Sequence, residues 1–183
     1  MAESIDIISI GECMIELSTN ESLTYTKTFN KYYGGDTITT AVAAARLGAK
    51  VGYITKVGND SFKDFLLDSW QAENIDISYV KLVDGYNGLY FLSKQEDQKK
   101  EFAYYRKKSA ATTLCVDDIS DDYIDRTSVL YSTGITQSLS DSAREAVKKA
   151  FITAKKKQCT TAYDPNYRAR LWSIEEAKEA MEE

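Results

Sequence analysis

Residues 159–173 read Cys159-Thr160-Thr161-Ala162-Tyr163-Asp164-Pro165-Asn166-Tyr167-Arg168-Ala169-Arg170-Leu171-Trp172-Ser173 and hold the single proline of the chain. Cys159 to Tyr163 has the composition of a short strand. Pro165 has no amide hydrogen to give to a ladder, so the strand cannot run past Asp164. The chain must turn there, which presents Asn166, Tyr167 and Arg168 at the strand's C-terminal edge. Ser173 with Glu176 has capping-box spacing, so a helix follows. Strand, forced turn and helix make one step of an open α/β sheet, whose ligands bind at the carboxyl ends of the strands.

The same step recurs upstream. Ile5 to Ile10 is a short apolar strand ending at Gly11. Asp36 opens a helix to Leu47, stopped by Gly48, and its alanines at 41, 43, 44 and 45 make it thin enough to pack closely on a sheet. Val51 to Val57 is a strand, and Asp60 caps a helix from Ser61 to about Glu73. Ile77 to Val83 reads as a third apolar strand. Val129 to Ser132 is another, and Ser140 caps a long amphipathic helix through about Lys156. This alternation predicts a mainly parallel sheet covered by helices. Two segments do not fit that layer. Cys13 to Leu17 and part of Tyr25 to Tyr33 alternate apolar and polar residues, and Leu89 to Ser93 with Phe102 to Arg106 reads as a hairpin around the charged loop Gln95 to Lys100. They predict half-exposed strands in a small antiparallel sheet beside the ligand edge.

Composition removes several functions. There is no histidine, which excludes a histidine general base, a Ser-His-Asp triad and histidine metal ligands. The three cysteines are isolated and show neither disulfide nor zinc spacing, which fits a reducing cytoplasm. A net charge of −5 argues against a nucleic-acid partner. No apolar run approaches membrane-spanning length and no signal peptide is read, so neither a membrane nor export is expected.

Three stretches carry chemistry. Gly34-Gly35-Asp36 lets a ligand approach the backbone at a helix N-terminus, and it is neither a Walker A loop nor a dinucleotide fingerprint. Tyr104-Tyr105-Arg106, followed by Ser109-Ala110-Ala111, offers a guanidinium for a carboxylate and hydroxyls for sugar oxygens. The third is the opening run, with Arg168. Singly, each has a structural reading: a flexible turn, a solvated strand face, surface charges beside a cap.

Together they resemble the ribokinase-like (PfkB-type) sugar kinases. The matching residues are Ile10-Gly11-Glu12, Gly34-Gly35-Asp36-Thr37, Ala45-Arg46-Leu47-Gly48, Val57-Gly58-Asn59-Asp60, Gly88-Leu89-Tyr90, Tyr104-Tyr105-Arg106-Lys107, Ser132-Thr133-Gly134-Ile135-Thr136, and Asp164 to Arg168 with Leu171-Trp172. The Asp-Pro-Asn-Tyr-Arg run is shared with fructokinases. Tyr-Tyr-Arg-Lys leans toward members acting on keto-deoxy sugar acids, the 2-keto-3-deoxygluconate kinases among them. The resemblance implies that residues 1–183 are the N-terminal part of one ribokinase-like domain, with lid strands within 12–33 and 88–107 and the C-terminal part missing. It implies sugar contacts by Gly34, Gly35, Tyr90, Tyr104, Arg106 and Arg168, with Asn166 and Arg168 near the nucleotide. ATP and Mg2+ are implied as cofactors, a sugar acid as substrate, and a homo-oligomer through the β lid. The family usually has Asn where this chain has Thr39.

The family's Gly-Ala-Gly-Asp motif forms an anion hole and carries the catalytic base. The last glycine here is Gly134, so the resemblance implies no catalytic residue in this chain and no metal ligand, and an inactive isolated polypeptide. Three rivals stay open: a fructokinase or other ribokinase-like enzyme, a non-catalytic sugar-binding or dimerisation module, and a dinucleotide-binding domain, which lacks its glycine fingerprint.

Overall fold

The computed structural model describes residues 4–94 and 100–182. The elements are β1 Ile5–Ile10, β2 Met14–Thr19, β3 Asn30–Gly34, α1 Asp36–Arg46, β4 Val51–Gly58, α2 Lys63–Ala72, β5 Ile75–Asp76, β6 Val80–Val83, β7 Leu89–Lys94, β8 Lys100–Tyr105, α3 Asp121–Ile124, β9 Thr127–Thr133, α4 Gly134–Gln137, α5 Asp141–Lys156, β10 Thr160–Asp164 and α6 Ile174–Glu182. They form two sheets.

The larger sheet has the order β10-β9-β1-β4-β5, with β6 also paired to β4. Every pairing in it is parallel. Its inner strands β1, β4 and β9 are largely buried, which is why they read as mostly apolar runs, whereas the edge strands β10 and β6 are more exposed. Ile8, Ile10, Ile54 and Leu130 fill one side, against Tyr123, Ile124 and the stripe Ala143, Ala146, Ala150 and Ala154 of α5. Val51, Tyr53 and Val57 fill the other, against Ile38 and Ala41 of α1 and Leu66 and Trp70 of α2. Each large side chain fully buried here contributes about 1.5–3 kcal/mol. The expected caps form: Ser140 Oγ accepts the Ala143 N–H at 3.1 Å. Glu176 accepts the Ser173 N–H at 2.7 Å while Ser173 Oγ accepts the Glu176 N–H at 3.1 Å. Gly48 ends α1 with φ +95°.

The smaller sheet departs from expectation. Its order is β3-β2-β7-β8. Both outer pairs are antiparallel, but the central pair β2–β7 is parallel. The cause is topological. β2 leaves the C-terminal end of β1 and β7 follows β6, so both start from the same edge of the large sheet and run outward together. Being central, β2 is also not half-exposed: Met14 and Ile15 are buried.

Local signals misled in other places. Ile77 to Val83 is not one strand, because Asp76 Oδ1 takes the Ser78 N–H at 2.9 Å, and this turn separates β5 from β6. α2 begins at Lys63 rather than Ser61, because Asp60 closes a turn on the Phe62 N–H at 2.8 Å. In the Tyr25 to Tyr33 stretch only the part from Asn30 is strand. Ala43 of the thin helix faces outward. Loop residues 95–99 lie outside the described residues.

Candidate functional site

A cleft of about 1340 Å3 opens between the C-terminal edge of the parallel sheet and the small sheet. Met14, Tyr90, Phe102, Tyr104 and Arg106 form the small-sheet wall. Gly35, Asp36, Thr39 and Thr40, where α1 begins, line another part, with Tyr131 of β9. Asp164, Asn166 and Arg168 close the cleft from the turn that Pro165 imposes. Five of the six expected sugar contacts therefore line one cavity. Gly34 does not: it is buried against the Tyr90 hydroxyl, where any side chain would collide.

The turn after β10 is held by side chains. Asn166 has φ +37°, a left-handed conformation that asparagine tolerates better than most residues. Its N–H donates to Asp164 Oδ1 and its Nδ2 to Asp36 Oδ2, each at 3.0 Å. Asp36 Oδ1 accepts the Thr37 N–H at 2.9 Å. Asn166 thus ties the Arg168 loop to the start of α1 through one N–H of its side-chain amide. Arg168 is exposed, and one of its nitrogens donates to the Tyr167 carbonyl at 3.2 Å. Its remaining donors suit an anion such as a phosphate or carboxylate. Among the described residues no group of three or more Cys, Asp and Glu side chains is placed to hold a metal.

Arg106 is not the free cation that the sequence implied. It forms an ion pair with Glu12, which is 2% exposed. Ser109 Oγ donates to Glu12 Oε1 at 3.3 Å. Burial pushes the Glu12 carboxyl above the ordinary range, even though Arg106 and the Ser109 hydroxyl pull it down. Arg106 Nε is buried with no hydrogen-bond partner among the described residues, so the guanidinium keeps donor capacity. On the same wall the Tyr90 hydroxyl donates to the Glu16 carboxylate. Burial, then that bond, holds the phenol far above its usual range.

Sequence reasoning passed over Glu12 and Tyr131. The signal for Glu12 was a lone acid in Ile10-Gly11-Glu12-Cys13-Met14-Ile15, an otherwise apolar run that marks a buried charge needing a partner. Tyr131 lines the cleft, and burial raises its phenol pKa, opposed by a bond to Thr40 and aided by Asp36 and Asp164. Nothing local singles it out from other strand tyrosines.

The comparisons agree with this architecture. The chain is 34% identical over 173 residues to a 2-dehydro-3-deoxygluconokinase of Thermoproteus tenax, covering 92% of this chain and 52% of the relative. It is 36% identical over 176 residues to a 5-dehydro-2-deoxygluconokinase of Clostridium beijerinckii, covering 93% and 52%. The chain spans about half the length of the curated relatives it matches. Among solved structures, a PfkB protein from Polaromonas superposes with TM-score 0.93 at 31% identity, over 98% of this chain and 62% of that one. The 2-dehydro-3-deoxygluconokinase of Thermotoga maritima gives 0.91 at 27%, over 97% and 56%. The two layers and the small sheet are therefore a ribokinase-like fold. Residues 4–183 match the family described as pfkB family carbohydrate kinase. The chain belongs to the pfkB family of carbohydrate kinases.

Proposed function

We propose that the protein transfers a phosphoryl group from ATP to a keto-deoxy sugar acid, converting 2-keto-3-deoxygluconate to its 6-phosphate, and that this chain supplies the sugar-binding half. The observation carrying this reading is the cleft that holds Arg106 on one wall and Arg168 on another. In this reading both guanidiniums serve the sugar carboxylate. Each such charge-assisted bond contributes about 1.5–3 kcal/mol when desolvated. Tyr90, Tyr104 and the Gly35 backbone meet sugar oxygens, and Gly34 supports Tyr90 from behind. Arg168, with Asn166 fixing its loop, lies toward the nucleotide. ATP with Mg2+ supplies the phosphoryl group and screens its charge; the base and anion hole are assigned to residues outside this chain.

The relatives named 5-dehydro-2-deoxygluconokinase support a second substrate of the same class, 5-keto-2-deoxygluconate. Calorimetric titration of the chain with both sugar acids and with fructose tests the reading. Arg106→Ala should weaken the acids by about 10–150-fold, the loss of one such bond, and leave fructose little changed. Equal loss on the neutral ketose defeats the carboxylate assignment. Turnover of either acid by the chain alone would defeat the assignment of transfer chemistry elsewhere. We also infer association of two copies through the small sheet, supported by the exposed Tyr32 on its outer strand β3; a monomer in sedimentation velocity refutes this.

A further inference from the structure

We infer that binding of a sugar acid in the cleft drives protonation of Glu12, because the substrate carboxylate and Glu12 must share the Arg106 guanidinium. The inference rests on the reading just given, and it identifies Glu12 as a positioning residue whose charge state answers to the ligand.

The geometry is specific. Glu12 follows β1 and lines the cleft at 2% exposure. Its surroundings come from every connection between the two sheets. Arg106 and Ser109 follow β8. Gly88 precedes β7, and a Cβ there would lie 3.2 Å from Glu12 Oε1. Gly35 precedes α1 and packs on the Glu12 carbonyl, which also accepts from Thr37 Oγ1 at 3.4 Å. The groups that act on the carboxylate electrostatically are Arg106, Asp36, Cys13 and Tyr53. Cys13 and Tyr53 are neutral, since burial pushes both well up. Asp36 has the same sign as Glu12. Arg106 is therefore the one cation balancing this buried acid among those groups.

A second carboxylate on Arg106 adds a like charge beside Glu12 and takes a share of its counter-ion. Two carboxylates on one buried cation cannot both stay ionised cheaply, and one takes up a proton. The ligand's carboxylate is the stronger acid and also has Arg168, so Glu12 is the one protonated. Burial already favours its neutral form. The proton comes from solvent, and the new O–H can donate to Ser109 Oγ once that hydroxyl turns to accept. A neutral sugar leaves Glu12 ionised and paired.

Linkage gives the sign. Binding takes up about one proton between the Glu12 pKa of the free chain and its higher value in the complex, and in that window Kd rises up to about tenfold per pH unit. Calorimetry with 2-keto-3-deoxygluconate over a series of pH values that spans the Glu12 titration, in buffers of different ionisation enthalpy, counts the protons. Uptake approaching one proton is expected for the wild type, none with fructose, and none for Glu12→Gln, whose Kd should not vary with pH. Saturable binding without uptake, or uptake that persists in Glu12→Gln, overturns the inference and leaves the substrate reading intact. Absence of sugar-acid binding overturns both. Should Glu12→Gln fail to fold, side-chain 13C labelling of wild-type glutamates decides. The Glu12 midpoint should move up on saturation with the sugar acid, and an unmoved midpoint overturns the inference.

Discussion

Replacing Gly134 with alanine should lower stability and, through the loop above it, ligand affinity. Gly134 opens α4 directly beneath the turn after β10. A Cβ at this position meets the Pro165 carbonyl oxygen and lies 3.0 Å from both Trp172 Cζ2 and the Tyr163 hydroxyl. The Pro165 oxygen is backbone, so no rotamer relieves the contact, and either α4 or the loop must shift. Overpacking of this kind costs about 1–3 kcal/mol. In a chain of this size that is a fall in Tm of roughly 2–12 °C. The loop also carries Arg168 and the 3.0 Å bond from Asn166 to Asp36. Displacing Arg168 would cost at most its charge-assisted bond to the ligand, about 10–150-fold in Kd. Urea denaturation followed by tryptophan fluorescence measures the first effect, and titration with the sugar acid measures the second. Gly48→Ala is the control. Gly48 has φ +95° with nothing within 4 Å of its Cβ, so it should cost about 1–2 kcal/mol of backbone strain and leave the cleft unaltered. Wild-type stability and affinity in Gly134→Ala, or equal loss of affinity in Gly48→Ala, would refute the reasoning.

Two further outcomes concern the scaffold. Asp118 is 4% exposed and meets Lys56 and Lys81 at 2.9 Å each, with the Cys115 N–H at 2.8 Å. Asp118→Ala strands the nearly buried Lys56 and should cost about 3–5 kcal/mol in a denaturant titration. Burial alone would raise the Asp118 pKa, but the lysines and the Cys115 donors outweigh it and the net shift is downward. Its contribution is therefore fully present above the unfolded pKa and is lost as pH falls through the lowered folded value, a loss that should vanish from the acid limb of Asp118→Ala. Ser140→Ala removes the acceptor for the Ala143 N–H and should cost about 1 kcal/mol. Hydrogen exchange should locate that loss in the first turn of α5, and uniform loss across the helix would count against a local cap.

The parallel layer was legible because each of its signals is local. Pro165 ended β10, Ser140 and Ser173 opened their helices, and Gly48 closed α1, all through bonds within a few residues. The parallel pairing of β2 with β7 was not, since register between distant strands leaves no trace in either alone. The strand expected at Ile77 to Val83 failed for the opposite reason: apolar composition hid one aspartate turn. The cleft was legible as a set of residue types, and Tyr90, Tyr104, Arg106 and Arg168 do line it together. Their states were not. That Arg106 already has a partner follows from Glu12, some ninety residues earlier, and only the fold brings the two together.

The β2–β7 pairing also bears on how the molecule assembles. Ile15 and Leu89, the first residues in register, are roughly 75 positions apart. Closing so long a loop is entropically unfavourable until the intervening strands have shortened it. β1, β4 and β6 are therefore expected to dock before β2 and β7 meet. The cleft is then expected to form late in folding, and a chain emerging from the ribosome holds half of its binding wall without the other until β7 and β8 are released. Mutations that slow the large sheet should accordingly delay ligand binding more than they reduce it at equilibrium.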